Sequence, residues 1–329
     1  MTKENNSAEN GAAPRQAPKA ENEAFLLLKN LVKSPLTLKK LRRMGQDEVR
    51  YVAPARRYEL PEYRTGMKYS TSKEPYLRPT RWCNPHEPLV VALAHQLGAY
   101  ELSDREFAEA AYWWVKTNMW YAMRPFDGAG ATIKRGTGFC FHFVNTYVAL
   151  CRCAGIKTRY KGYTMRLPED AKELTDIDSG FAEAWGNAGD VVKEAEGEVY
   201  LDGTWVTAYL AQPAALTAAN GWPITDFGES SIGMYFDALP GSIQRFESLS
   251  LRFGLSLRFQ NMLAPATMER LSARMSRLQR LGQQKIEEVG GLQEYNRVAK
   301  NKFAVFAASD ILDKQVLERK ANIVIKKPK

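Results

Sequence analysis

Histidine and cysteine are scarce in this chain, with three and four copies among 329 residues. The cysteines are Cys83, Cys140, Cys151 and Cys153. They form no CxxC pair and no regular framework, so neither a zinc site nor a disulfide-stapled fold is indicated. No stretch of eighteen apolar residues occurs, which excludes an ordinary membrane-spanning helix. The opening MTKENNSAENGAAPRQAPKAENE lacks the apolar run of a signal peptide, and a cytoplasmic location is the expectation that follows. No nucleotide, flavin or metal motif is present, so no cofactor is expected. No nucleic-acid motif is present either.

Hydrophobic residues make up 45% of the chain and charged residues 25%, which places it among globular proteins and excludes full-length disorder. The net charge of +9 is unevenly placed: residues 251–329 hold 16 Lys and Arg against 7 Asp and Glu, leaving the remainder balanced. A basic segment of this kind suits a solvated helical face, an anionic surface or an acidic partner.

Four regions are expected. Residues 1–22 read as a disordered polar tail. Residues 23–75 read as a helical and irregular extension. It contains FLLLKNLVKSPLTLKKLRRM, suited to packing on the protein or to weak membrane-surface contact. Residues 76–215 read as the core, and 216–329 as an irregular then helical basic extension that packs back or forms a homodimer. Within the core, 85–99 reads as a helix. Residues 103–121 read as a second, opened by a Ser103/Glu106 capping box and carrying Phe107, Ala111, Trp114 and Val115 on its inner face. The loop DGAGATIKRGTG (127–138) leads into a buried helix over 139–155 that ends at Gly155. In that helix Cys151 and Cys153 are core thiols. Residues 157–167 read as a strand, 168–190 as loop, and EVYLDGTWV (198–206) as a hairpin turning at Asp202-Gly203. Further on, 267–289 and 292–320 read as helices. His86 and His95 lie on a helix and are given structural roles.

Chemistry points to Cys140. GTGFC sets a thiol behind glycines at a helix N-terminus, where the electropositive helix end and its free N–H groups favour a thiolate and can hold an oxyanion.

The order of segments resembles the transglutaminase-like branch of the papain-like cysteine peptidases. Trp114, Val115, Asn118 and Tyr121 match the W-V-x-x-N-x-x-Y phrase of the family's upstream helix. Gly138, Cys140, Leu150, Arg152, Gly155, Ile156 and Arg159 match its nucleophile helix and following strand, and EVYLDGTWV its hairpin. The resemblance covers residues 76–212 and implies an α+β fold, with a Cys-bearing helix packed on an antiparallel sheet. It also implies attack of a thiolate on a carboxamide or peptide carbonyl, with a histidine moving the proton and an aspartate orienting it.

Only the cysteine matches. The family's H-A-W-x-E-V-Y phrase corresponds to EAEGEVY, placing Glu194 in the histidine position; a second alignment, on FAEAW, places Glu183 there. The aspartate position is Tyr209. His142, two residues beyond Cys140, faces another side of its helix. A carboxylate disfavours a thiolate where imidazolium favours it.

Three readings follow: a divergent Cys140 enzyme for acyl transfer or amide hydrolysis with a Cys-Glu-Tyr site; a catalytically inactive binding module; and an isomerase or lyase moving protons on a small molecule through Glu194 and Tyr209.

Overall fold

The computed structural model describes Arg43 and residues 50–166, 191–232, 234–235 and 238–311. The expected 1–22 tail, most of the 24–44 stretch, the 168–190 loop and Glu183 lie outside the described residues.

Pro88 opens the first helix, α1 (Pro88–Gln96), whose Val90–Ala94 are all buried. The next, α2 (Asp104–Asn118), starts on the expected capping box: Ser103 Oγ accepts from the Glu106 N–H and Glu106 answers to the Ser103 N–H. Phe107, Ala111 and Val115 are buried as the spacing required. Trp114 is only half-buried and packs on Tyr58. This helix does not run on to residue 121. Trp120–Tyr121 form a short strand, β1, because they pair in parallel with Thr137–Gly138, β2. The glycine-containing loop between them is also more ordered than its composition suggested. It holds α3 (Ala129–Arg135), closed by Gly136 at φ +71°.

Beyond β2 comes α4 (Cys140–Cys153). Every residue from Phe141 to Cys153 is buried, the mark of a helix surrounded by its own protein. Gly155 ends it at φ +86°. Arg152 is fully buried without a carboxylate partner. It instead donates to the carbonyls of Thr158, Arg78 and Glu247, tying the helix end to the sheet.

The sheet is antiparallel, in the order β5 (Thr204–Ala208), β4 (Val191–Leu201), β3 (Thr158–Arg166), β6 (Gln244–Phe246). Asp202 at φ 51° and Gly203 at φ 82° make the expected two-residue turn between β4 and β5. Alternation sends Ala195, Gly197 and Val199 to one face. A side chain at Gly197 would meet the Tyr147 ring of α4 at 3.0 Å, so helix and sheet touch through this gap. The opposite face carries Glu194, Glu196 and Glu198 in register with Tyr163, Lys161 and Arg159.

The region after 215 is less irregular than its sequence suggested. It begins inside α5 (Ala214–Ala219), then gives β6 and α6 (Leu251–Leu263). The predicted 267–289 helix starts slightly earlier, as α7 (Pro265–Glu288), and α8 (Leu292–Ile311) follows. Residues 312–320 of the last predicted helix are outside the described residues. α7 closes on α5 at Gly282, where an added methyl would sit 1.7 Å from the Ala215 carbonyl oxygen.

Candidate functional site

Cys140 is set at the first position of α4 by what precedes it. β2 pins Thr137–Gly138 to β1, and a side chain at Gly138 would lie 2.6 Å from the Cβ of His142. Glycine there lets the strand turn straight into the helix. His142 serves this junction: its Nδ1 lies 3.4 Å from the Phe139 amide N, and its Nε2 lies 3.3 Å from the Pro125 carbonyl and 3.4 Å from Asp127 Oδ1. Asp127 in turn pairs with Arg135. Burial holds His142 below the ordinary imidazole range, against the pull of Asp127. The histidine nearest in sequence to the thiol therefore braces a loop. His86 and His95 likewise meet backbone carbonyls, of Ser70 and Lys68.

The Cys140 side chain is half-buried between the main core and a second cluster containing Tyr163, Met165, Tyr209, Trp222 and Tyr235. Burial first, and the charge of Glu194 second, push its thiol well above the usual range; a hydrogen bond from Phe141 N–H opposes them only in part.

Glu194 and Tyr209, predicted from separate segments, meet. Tyr209 Oη donates to Glu194 Oε1 at 3.4 Å, and Tyr163 Oη to Oε2 at 3.2 Å. Tyr163 Oη also lies 2.5 Å from Ser231 Oγ. Burial, then the charge of Glu196, raise Glu194 to about 8, while both tyrosines and Lys116 resist.

The neighbouring rungs of β3 and β4 explain why Glu194 differs from its equivalents. Glu198 is bound by Arg159 at 2.6 Å and Arg245 at 3.1 Å, and Glu196 by Lys161 at 2.7 Å together with Ser230 and Ser231. In the third rung a tyrosine replaces the cation. Glu194 receives two neutral hydroxyls and, among the described residues, no direct ion pair.

The sequence reading missed Lys116. It lies on α2 one turn beyond Tyr112 and two beyond Ala108, both buried, so it falls on the core stripe; that misplaced cation was the available signal. Its Nζ donates to the Tyr209 carbonyl at 3.0 Å and stands 4.6 Å from the Tyr209 ring centre. Burial lowers it to about 7, with Glu194 pulling the other way. Tyr121 faces the same place: burial, then Cys140 and Glu194, raise its phenol. Among the described residues no cluster of His, Cys, Asp and Glu could hold a metal.

As it stands, the arrangement is a protonated thiol beside a carboxyl closed off by two tyrosines, with an amine on the far side of one of them. It can hold or exchange protons near neutrality. It lacks an imidazole to ionise the thiol.

The model of the transglutaminase-like superfamily matches residues 91–210, a stretch running from α1 to just beyond β5 that includes Cys140, Glu194 and Tyr209. No curated protein matches the chain. Among solved structures, a candidate cysteine protease from Cytophaga hutchinsonii is similar at 19% identity and a TM-score of 0.32, over 53% of this chain. The chain spans about half (51%) of that protein. Over residues 91–210, this α+β chain is similar to the transglutaminase-like superfamily.

Proposed function

We propose that this chain has given up thiolate chemistry and works as a catalytically inactive, transglutaminase-like binding module. One observation carries the reading: Glu194, which the resemblance aligns with the family's histidine, is buried with both oxygens taken by tyrosine hydroxyls, and its charge acts on the Cys140 thiol. Ionised, it repels a thiolate; protonated, it cannot accept the thiol's proton. Acyl transfer needs a group that does the opposite in each state. Tyr209, in the aspartate position, caps this carboxyl and so stabilises the altered site. The core then acts as a rigid frame presenting its outer helices.

Labelling with a thiol-reactive reagent across pH tests this. Cys140 should react slowly, with a rate still climbing above the ordinary thiol range of about 8.5. Fast labelling with a midpoint below about 7, lost in Cys140→Ala, would restore the acyl-transfer reading.

A second reading, proton transfer on a small molecule, is favoured by Glu194 at about 8 and Lys116 at about 7, both suited to acid–base work near neutrality. Its mark would be a small carbonyl acid that raises the melting temperature of the wild type and leaves Glu194→Gln unmoved.

A further inference from the structure

α6 is apolar on both sides. Phe253 and Leu257 pack on the core, and Gly254 lies against the Trp82 ring. On the other side Leu251, Leu255, Phe259 and Met262 are 43, 50, 40 and 59% exposed. Their spacing lines them up over about 17 Å of one helix face. A surface helix ordinarily turns polar residues outward here, so this line is built to be covered.

Charge narrows what covers it. From Ser248 to Ile286 the sequence holds seven Lys or Arg and a single acid, Glu269. The acid-free stretch 24–42 is also apolar and basic in sequence. A face bordered by this excess of positive charge fits a negative surface.

A cavity of about 450 Å³ adjoins the line at Met262. In its wall the Arg124 guanidinium lies 5.0 Å from the Tyr51 ring centre, beside the buried Tyr51 hydroxyl. Arg258, also in the wall, uses its Nε on the Phe126 carbonyl. Glu269 accepts the Tyr51 N–H at 3.2 Å. Two guanidinium groups beside a hydroxyl match the oxygens of a phosphate.

We propose that this face docks on an anionic lipid surface: the α6 line enters the boundary between head groups and acyl chains, and the cavity takes a lipid phosphate. Anchoring is peripheral, for no helix among the described residues is long and apolar enough to cross a membrane.

Vesicle flotation of the full chain tests the proposal. Phosphatidylcholine vesicles containing phosphatidylglycerol should bind it at least about tenfold more tightly than phosphatidylcholine alone, since each cation at such a surface adds about fivefold. The double variant Leu255→Glu/Phe259→Glu changes exposed residues only and should keep the wild-type melting temperature while losing about tenfold or more of this binding. Arg124→Gln should reduce the anionic preference about fivefold. Equal binding to both vesicles, or undiminished binding by the double variant, would overturn the proposal. So would displacement by inorganic phosphate beyond that by chloride of equal ionic strength, which would assign the cavity to the free ion. A wild-type dimer in sedimentation that the double variant dissociates, without vesicle binding, would assign the face to a second copy of the chain.

Discussion

Replacing Glu194 by glutamine should make the protein more stable at mildly alkaline pH. The wild-type carboxyl is raised from 4.5 to about 8 by burial and by Glu196. A carboxyl whose folded pKa lies above its unfolded value holds its proton longer in the native state. Its contribution is intact below about pH 4.5 and is lost as pH rises through about 8. The full displacement corresponds to something on the order of 5 kcal/mol, accumulating at about 1.4 kcal/mol per pH unit. The attraction of Lys116 for the ionised carboxylate is already contained in that displacement. Glutamine keeps the shape and accepts from Tyr163 or Tyr209 through its carbonyl oxygen, but it never ionises. Urea unfolding of wild type and Glu194→Gln in steps from about pH 5 to 8 should therefore give curves that start close and separate by several kcal/mol, with the variant on top. Parallel profiles would refute the reasoning and mean that Glu194 is an ordinary solvated carboxylate. Cys140 would then have no like-charge neighbour to hold its thiol protonated.

Two further variants probe the frame around the site. Gly282→Ala should cost about 3 kcal/mol in urea unfolding, because its methyl would sit 1.7 Å from the Ala215 oxygen and force α7 away from α5; a change below about 0.5 kcal/mol would mean that the two helices slide freely. Arg152→Lys should cost a similar amount, about 3 kcal/mol, since one ammonium cannot reach the carbonyls of Thr158, Arg78 and Glu247 together.

Those elements whose signals are local were legible in the sequence. The Ser103/Glu106 box, the apolar run ending at Gly155 and the Asp202-Gly203 turn each fixed an element within a few residues. The helix end at Asn118 was not legible, because Trp120 and Tyr121 leave helical geometry for strand partners seventeen residues away. α3 was hidden by its glycines. α6 was hidden because it is apolar on both sides and so lacks the one-sided stripe by which helices are read. At the site, the resemblance pointed to Glu194 and Tyr209, whose side chains meet although the hairpin register does not set them opposite each other. What no spacing conveyed is the protonation of the site. That depends on Lys116, brought from α2, and on the absence of a cation opposite Glu194.

The ladder on β3 and β4 has a consequence for how the sheet finds its alignment. The β4–β5 pair is aligned by its two-residue turn. The β3–β4 pair is joined through the 24 residues 167–190 rather than two. Its alignment rests instead on Arg159 with Glu198 and Lys161 with Glu196. A slip of one residue would drive three glutamates against α4 and lift Gly197 off Tyr147. The charges thus act as a ruler for how the two strands meet, written into the strands themselves.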